Sequence, residues 1–529
     1  MATELGEGPF SLETRWIRPL GSGYSGIAIG GGLLVTAGRG DGHDVVVALD
    51  PENGSERWRY ALDTAYDGHD GSHDGPIVTP AIADGRVFMV GAAGSVAALR
   101  LEDGAELWTR HLVEDFGSVE PRYGFAGSPA VAGSILVLSI GGEDAGSLAG
   151  FDVATGKLRW RSLPDTIYGG SPIVAEVGGR PQVLMLSPSF VTGLDPATGT
   201  ILWQEEHGEK NAAMGALSQS VLPLDSERFF VKHGEDRVMV LEVSCADGAF
   251  VPTRLAEFRG LTRSYSPPTR VDGVLYGYTG RLLSAVDPAA GELLWRSRAP
   301  GDGFLLALGD QLAVLSKKGT LHLAAASRNG WEESDRLELF EDLAWTPPSA
   351  AGQGLYARSL GQIARVDLRQ GGTPRAAPAF EPPRLLRPLA ATVAAMGGET
   401  ERAANAVDRF LDGRELPWVD GEDVLFLWRG AAGDVAIAGD MLGIRREEVM
   451  HRLEGTDLWW WQTRLDRRSR ISYQFFVDDE PTVDPSHLRR THSTIPRPGL
   501  ELAEKPSPRD VLARHARLAR LASPGPRTP

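Results

Sequence analysis

One pattern of eleven residues recurs through the first 372 residues of this 529-residue chain. In each copy an acidic residue, or a residue in its place, is followed four positions later by Gly and after four more positions by Trp. Five full copies occur, at 48–58, 98–108, 150–160, 193–203 and 285–295. Weaker copies lie at 240–248, 323–331 and 365–372, which makes eight units of roughly 40 to 50 residues and predicts a repeat architecture.

Each unit predicts a four-stranded sheet. An apolar strand ends at the acidic residue, the turn that follows has a Gly able to adopt positive φ, and the next strand carries Trp on its buried face. A second signal precedes each hairpin, as in the Thr-Pro segment 79–91 and the Ser-Pro segment 128–140, and indicates two short strands joined by a tight turn. Four strands repeated eight times predict an eight-bladed β-propeller over residues 12–372. Residues 12–20 resemble the Trp-bearing outer strand that the last unit lacks, so we expect the N-terminal strand to close the ring.

The remainder of the chain has a different pattern. Residues 373–416 predict a Pro-rich linker and a helical segment that the glycines at 397 and 398 split, and residues 417–485 predict a small antiparallel sandwich of immunoglobulin-like form. Residues 486–529 form a basic tail, which we expect to be flexible. The predicted fold class is therefore all-β, an eight-bladed propeller followed by a short helical linker and a β-sandwich. Because side chains alternate along a strand, the tryptophans at 459–461 predict one buried face and one aromatic patch that needs a partner surface, a carbohydrate or a neighbouring domain. We favour a contact between domains, with a sugar site as the alternative.

Composition excludes several classes of function. The 54 basic and 70 acidic side chains give a formal charge of −16, which argues against a general nucleic-acid binder. The single cysteine, Cys245, excludes an intramolecular disulfide and a Cys-based zinc site. The first residues have no basic segment followed by an apolar core, and no stretch is long enough to span a membrane. We therefore expect a cytoplasmic protein, and a periplasmic one only if the true start lies upstream.

The repeat resembles the pyrroloquinoline-quinone-type propeller repeat, whose tryptophan-docking motif is Ala-x-Asp-x-x-x-Gly-x-x-x-Trp. The resemblance implies inter-blade packing for the repeated tryptophans Trp58, Trp108, Trp160, Trp203 and Trp295. Proteins of this shape include quinone-dependent dehydrogenases and non-catalytic scaffolds such as the outer-membrane assembly lipoprotein. The dehydrogenases usually keep a vicinal Cys pair and a calcium site, whereas this chain has only Cys245. We therefore expect neither quinone nor calcium, and keep quinoprotein dehydrogenase as an alternative.

A binding site is expected where the repeats differ, in the links between one blade's outer strand and the next blade's inner strand. These links surround one mouth of a propeller's central channel, and six of them place an aromatic residue at nearly equivalent points: Tyr24, Phe125, Tyr168, Tyr265, Phe304 and Trp345. Two interpretations remain open. The rings form a rim suited to a flat or amphipathic ligand, or they plug the channel.

The segment 63–76 is the most unusual of these links, because it offers two His-Asp pairs on a Gly-rich loop. The four side chains are His69, Asp70, His73 and Asp74. They suit a divalent metal, with His69 and His73 as ligands, or a proton shuttle; alternatively the Asp side chains only cap turns. Arg122, Tyr123 and Arg263 from neighbouring links complete the expected pocket.

The strands of residues 418–485 carry a second resemblance. VLFLWRG, GDMLG, MHRLEGTDLWWWQTRL and SYQFFVDD resemble the immunoglobulin-like domain that precedes the hydrolase domain in enterochelin esterases. That family implies hydrolysis of ferric siderophore esters by a Ser-His-Asp site in the hydrolase domain. No G-x-S-x-G motif occurs in the chain, so we expect no catalytic residue here.

These features predict a binding or scaffolding protein, the non-catalytic, substrate-presenting part of a siderophore-ester or aryl-ester hydrolase system linked to iron transport. The expected partners are a small-molecule or protein ligand at the propeller mouth and a separate esterase domain, with iron entering only through a bound siderophore. A truncated ester hydrolase of the enterochelin-esterase type is the second alternative.

Overall fold

The computed structural model describes residues 10–68, 74–141, 146–165, 169–207, 220–233, 237–262, 264–371, 375, 381–442, 447–466, 469–478, 480–482 and 499–501. The chain divides into two compact units, Met1–Ala377 and Pro378–Pro529. Among the described residues, no helix combines the length and apolar character that crossing a bilayer requires.

The first unit is built from eight antiparallel sheets of four strands, here called blades 1 to 8. Blade 1 contains β2 (Ala28–Gly30), β3 (Leu33–Gly40), β4 (His43–Leu49) and β5 (Glu56–Thr64). Blade 2 contains β6 (Ala81–Ala83), β7 (Arg86–Val90), β8 (Ser95–Arg100) and β9 (Glu106–His111), and is followed by the short helix α1 (Leu112–Phe116). Blade 3 contains β10 (Ala130–Ala132), β11 (Ile135–Ser139), β12 (Leu148–Asp152) and β13 (Leu158–Ser162). Blade 4 contains β14 (Ile173–Val177), β15 (Arg180–Leu186), β16 (Phe190–Leu194) and β17 (Ile201–Glu206).

The remaining four blades follow the same order. Blade 5 contains β18 (Leu222–Pro223), β19 (Arg228–His233), β20 (Arg237–Ala246) and β21 (Ala249–Phe258). Blade 6 contains β22 (Thr269–Val271), β23 (Val274–Thr279), β24 (Leu282–Asp287) and β25 (Glu292–Ser297). Blade 7 contains β26 (Gly303–Leu308), β27 (Gln311–Ser316), β28 (Thr320–Ala325) and β29 (Glu333–Glu338). Blade 8 contains β30 (Ser349–Ala351), β31 (Gly354–Arg358), β32 (Gln362–Gln370) and the N-terminal strand β1 (Phe10–Pro19).

The N-terminal strand closes the ring, as the sequence predicts. β1 pairs antiparallel with β32 from Phe10 opposite Gln370 to Pro19 opposite Gln362. Trp16 on β1 is only 5% exposed, and its indole Nε1 donates to the carbonyl oxygen of Pro51 in blade 1 at 3.1 Å. The first and last parts of the propeller sequence therefore share one sheet, which leaves no open edge between blades 8 and 1.

The repeated tryptophans pack between neighbouring blades. Trp58 of blade 1 is buried, and its Nε1 donates to the carbonyl oxygen of Leu101 in blade 2 at 2.8 Å. The turn that receives this ring contains Gly104 at φ 72°, where an added Cβ would lie 2.6 Å from the Trp58 ring. Gly is therefore needed in the repeat for its backbone conformation and for the close approach of the indole.

The strand registers show that two blades have another residue in place of the docking tryptophan. Ala48 faces Trp58 in blade 1, and the equivalent pairs are Val240 with Ala256 in blade 5 and Leu323 with Asp335 in blade 7. Asp335 is fully buried, and its carboxylate accepts hydrogen bonds from the backbone amides of Leu12 and Arg375, both at 2.7 Å. A carboxylate thus replaces the indole at the junction between blade 7 and the closing strand.

The described residues of the second unit form two helices and a β-sandwich. The helices are α2 (Arg387–Ala394) and α3 (Thr400–Leu411), and the glycines at 397 and 398 between them have φ 59° and 90°. One sheet contains β33 (Trp418–Asp420), β34 (Asp423–Arg429), β38 (Leu458–Arg464) and β37 (His451–Arg452). The other contains β36 (Glu447–Val449), β35 (Val435–Gly439), β39 (Arg470–Val477) and β40 (Glu480–Thr482), and β41 (Gly499–Glu501) pairs with β39.

The helices cover the outer face of the sheet that contains β38. Trp459 packs in the core between the two sheets with Phe426 and Tyr473. Trp460 points the other way but is only 7% exposed, because it packs against residues of α2 and α3, including Val407. The surface that covers the second aromatic face is therefore the apolar face of the helical segment in the same unit.

Candidate functional site

The links around the propeller mouth are joined by Ser and Thr side chains. The hydroxyl of Ser128 accepts a hydrogen bond from the amide of Thr79 at 3.1 Å, and the hydroxyl of Ser171 accepts one from the amide of Ser128 at 2.9 Å. Thr346 donates from Oγ1 to the carbonyl oxygen of Tyr24 at 3.1 Å. In these three links the hydroxyl residue before Pro thus satisfies the backbone of a neighbouring link, which holds adjacent links side by side.

Three of the predicted aromatic residues come together at blades 6 to 8. The ring centroid of Trp345 lies 6.3 Å from that of Tyr265 and 6.2 Å from that of Phe304. Phe304 is 3% exposed and packs edge-on against Trp345, whereas Tyr265 is 50% exposed. The three rings therefore form a surface with one buried side and one open side.

A lysine that the sequence reasoning missed completes this surface. The Nζ of Lys317 lies 3.9 Å from the ring centroid of Trp345 and 2.6 Å from the Oδ2 of Asp302. Lys317 lies in the hairpin between β27 and β28, and its backbone amide donates to the carbonyl oxygen of Asp302 at 2.8 Å. The sequence feature that could have predicted Lys317 is the pair of lysines at 317 and 318, which lies in a hairpin at the same mouth of the channel as the links. We call Tyr265, Phe304, Lys317 and Trp345 the aromatic cluster.

The other predicted mouth residues are separate from this cluster. Phe125 is 3% exposed and belongs to the core of blades 1 to 3, so at this position the ring packs inward. Tyr24 is half-buried, and its amide donates to the carbonyl oxygen of Pro76 at 2.8 Å. The guanidinium of the exposed Arg122 lies 5.6 Å from the ring centroid of Tyr123. The remaining predicted site residues, which include both candidate metal ligands, lie outside the described residues: His69, Asp70, His73, Tyr168 and Arg263.

Asp74 is held by protein contacts within blade 1. Its carboxylate accepts a 2.6 Å hydrogen bond from the hydroxyl of Ser22 and pairs with the guanidinium of Arg39, which also lies 3.2 Å from Asp67. The hydrogen bond from Ser22 and the pairing with Arg39 together lower the pKa of Asp74 below its usual value, although partial burial opposes them. Asp74 is thus a structural anion of the link in this arrangement.

A buried carboxylate lies next to this ion pair. Asp44 has no exposed surface, its Oδ1 accepts a 3.3 Å hydrogen bond from the amide of Tyr66, and its Oδ2 has no described partner. Burial raises the pKa of Asp44 to about 6. The pattern of polar and apolar residues along β4 does not distinguish Asp44 from a solvent-facing carboxylate, so the sequence did not predict that this side chain is buried. In the part of the chain that the structure describes, no three His, Cys, Asp or Glu side chains form a group able to hold a metal.

This chain lacks the vicinal cysteine pair that quinone-dependent dehydrogenases usually have. Cys245 is exposed on β20 of blade 5, and a vicinal disulfide needs two adjacent cysteines. We derive no chemical step from quinone.

Comparison with known proteins supports both sequence resemblances. Residues 10–183 match the family model described as outer membrane protein assembly factor BamB, and residues 423–518 match the model described as the N-terminal domain of enterochelin esterase. The chain is similar to the outer membrane protein assembly factor BamB of Yersinia pestis, with 25% identity over 255 residues. That match covers 46% of this chain and 60% of the relative, so it spans less than two thirds of the relative's length.

Solved structures with similar shape include BamB from Moraxella catarrhalis, at 16% identity and a TM-score of 0.50, which covers 67% of this chain and 97% of that one. The quinohemoprotein alcohol dehydrogenase ADHIIG from Pseudomonas putida HK5 aligns at 14% identity with a TM-score of 0.47, covering 74% of this chain and 81% of that one. The chain thus combines a propeller of the tryptophan-docking type with a region that matches the N-terminal domain of enterochelin esterase.

Proposed function

We propose that this protein is a non-catalytic binding scaffold, whose propeller takes an aromatic, anionic ligand at the aromatic cluster and whose sandwich domain serves an ester hydrolase system. The observation that carries the proposal is the Lys317 ammonium held against the face of Trp345 beside the exposed ring of Tyr265. Rings on an open surface, anchored by a buried ring, suit stacking with a flat ligand.

The charge of the cluster indicates which ligands fit. Asp302 orients the ammonium of Lys317 at 2.6 Å, and both side chains keep about a fifth of their surface exposed, at 22% and 23%. An incoming oxygen anion can therefore contact the ammonium while an aryl ring stacks on Tyr265 or Trp345. Ferric catecholate siderophores combine these two features, and iron would enter only as part of such a ligand. Aryl esters supply the ring with a neutral carbonyl oxygen as acceptor.

The second unit supports the assignment to an esterase system. Its match to the N-terminal domain of enterochelin esterase is the reason to expect a separate hydrolase as partner. The propeller's match to a protein named as an assembly factor supports a scaffolding role for the first unit. Cytoplasmic location stays a prediction, which fractionation of the producing cells tests.

Isothermal titration calorimetry tests the ligand proposal. The full chain is titrated with the ferric complex of 2,3-dihydroxybenzoate and with phenyl esters, and the variants are Trp345→Ala and Tyr265→Ala. A stacked aromatic pair contributes about 0.5–1.5 kcal/mol beyond its buried area, so each variant should weaken binding by about tenfold. Tyr60→Ala on the outer strand of blade 1 removes a ring away from the mouth and should leave the affinity unchanged. Equal affinities of all variants, or no binding by the unaltered chain, would refute the proposal.

Two measurements test the alternatives. Assay of the chain with aryl esters should show no hydrolysis, whereas turnover would favour an ester hydrolase. Reconstitution with calcium and pyrroloquinoline quinone should leave no bound chromophore, whereas bound quinone and alcohol oxidation would favour a dehydrogenase.

A further inference from the structure

Most junctions between blades contain a slot that an indole ring fills. We define the docking slot as the space between the outer strand of one blade and the repeat turn of the next. Five indole Nε1 atoms donate across it to a backbone carbonyl at 2.8–3.1 Å: Trp16 to Pro51, Trp58 to Leu101, Trp108 to Val153, Trp160 to Pro196 and Trp295 to Ser327.

The slot between blades 5 and 6 keeps its turn but has Ala256 at the position of the docking tryptophan. The turn residues Asp287 to Gly291 form the usual bond from the Gly291 amide to the Asp287 carbonyl, at 2.8 Å. Gly291 has φ 68°, as the equivalent glycines do. An added Cβ there would meet the ring of Phe258 at 3.4 Å and Ala256 at 3.9 Å, whereas the Cβ of Gly104 would meet an indole at 2.6 Å. The Phe258 ring therefore packs beside the turn glycine at a greater distance than an indole does, and Ala256 leaves the position of the indole open.

A cavity of about 200 Å³ occupies this position, and its walls are largely apolar. Its lining includes Leu224, Val240, Ala256, Pro288 and Ala289. Pro288 corresponds to Pro51 and Pro196, whose carbonyl oxygens accept indole hydrogen bonds in the filled slots. An apolar cavity of about 150 Å³ accepts a benzene ring, so the volume suits one indole.

The rim of the cavity provides contacts for a segment that carries such a ring. Leu255 on β21 lines the cavity and is 48% exposed. Arg228 pairs with Asp225 and lies opposite Glu242 on β20, whereas Arg270 donates to the carbonyl oxygen of Leu224. The rim is therefore largely apolar, and Arg270 is the guanidinium that a carboxylate of an incoming segment would face.

We propose that the slot between blades 5 and 6 is a docking site for a tryptophan side chain of a partner protein, carried on an acidic, extended segment. The indole would fill the cavity and donate to the carbonyl oxygen of Pro288, and an acidic neighbour would face Arg270. The site lies at a blade junction away from the aromatic cluster, so it does not depend on the proposed ligand.

Fluorescence anisotropy with a labelled peptide tests this proposal on the full chain. The probe is the capped hexapeptide Gly-Glu-Leu-Trp-Glu-Gly, and the matched probe has Ala in place of Trp. The Trp peptide should bind at least tenfold more tightly than the Ala peptide. Ala256→Trp fills the slot from within and should abolish this difference, while Ala249→Trp, at an exposed position of the same strand, should preserve it.

Ala256→Trp should also raise the melting temperature, because it fills a cavity with an intramolecular ring. If it fails to fold, Arg270→Glu decides, since charge reversal should weaken the acidic peptide at least fivefold. Equal binding of the two peptides, or unchanged binding by the folded Ala256→Trp or the Arg270→Glu variant, would overturn the proposal. The proposal would also be overturned if N-acetyltryptophanamide displaced the Trp peptide completely at the same concentration as the peptide, because the slot would then bind a small molecule. It would likewise be overturned if the chain formed a dimer that Ala256→Trp converts to a monomer, because the slot would then bind a second copy.

Discussion

Replacement of Arg358 by Met should be among the most damaging single changes at the junction where the ring closes. Arg358 is fully buried at the end of β31 in blade 8, and its guanidinium donates to blade 1 and the link that precedes it. The acceptors are the carbonyl oxygens of Gly21, Ser25 and Ala37 at 3.2, 3.1 and 2.6 Å, and the hydroxyl of Thr36 at 3.2 Å. Burial lowers the pKa of Arg358 to about 9, so the side chain stays charged at neutral pH.

The magnitude follows from these contacts. A hydrogen bond from a charged donor contributes about 1.5–3 kcal/mol, so four would total about 6–12 kcal/mol if they were additive. Removal of the guanidinium also removes its desolvation cost, which offsets part of this total, but it leaves four buried acceptors without a donor, at about 1–3 kcal/mol each. We expect Arg358→Met to lower the free energy of unfolding of the propeller by about 3–5 kcal/mol.

The matched control is Arg369→Met on β32 of the same blade. Arg369 pairs with Glu13 at 2.6 Å, but the two side chains are 50% and 51% exposed. An exposed ion pair contributes about 0–1 kcal/mol, so this variant should be nearly neutral. The assay is urea unfolding combined with hydrogen exchange mass spectrometry of peptides from residues 10–49 and 349–370, which reports the closing blades specifically. A cost below about 1 kcal/mol for Arg358→Met, or equal costs for both variants, would refute the reasoning.

Three further changes test the electrostatics of the propeller. Burial lowers the pKa of Lys232 from 10.5 to about 7, so between these pH values the unfolded chain binds a proton that the folded chain does not. The free energy of unfolding should therefore rise with pH in this range, by up to about 1.4 kcal/mol per pH unit. Lys232→Met should remove this rise, as measured by urea midpoints at pH 7 and 9. Burial raises the pKa of Asp44 from 3.8 to about 6, so the folded protein loses stability as the pH rises between these values. In the same assay, Asp44→Asn should raise the free energy of unfolding by about 1–3 kcal/mol at pH 7 and leave it unchanged at pH 4. Asp335→Ala leaves the amides of Leu12 and Arg375 without their acceptor and should cost about 1–3 kcal/mol by thermal unfolding, with partial recovery in Asp335→Asn.

Local chemistry explains why the propeller was predictable. The Asp and Gly of each turn and the Trp of the next strand lie within eleven residues of one another, so one short pattern encodes both the hairpin and the ring that packs on the next blade. The closing strand was predictable for the same reason, because Trp16 marks it as an outer strand. The weak copies were recognised as blades, but their sequence did not reveal that Ala256 leaves a cavity or that Asp335 binds the closing strand.

The site was only partly predictable. Tyr265, Phe304 and Trp345 were chosen because they occupy equivalent points of the repeat, and the structure places the first two against the ring of Trp345. Lys317 was missed because it comes from a hairpin rather than a link. Phe125 occupies a point equivalent to theirs yet packs into the core, since repeat position specifies a location on the blade and not the direction of a side chain.

The sequence by itself determined the number of blades, the closure of the ring and the presence of a second β domain, because hairpins, turns and docking rings are specified by residues close together in the chain. Only the tertiary structure decided which side chains meet at the mouth, which junction is unfilled and what covers Trp460. These contacts join residues roughly thirty to eighty positions apart in the chain, so their geometry depends on how blades, links and helices pack and not on any local pattern.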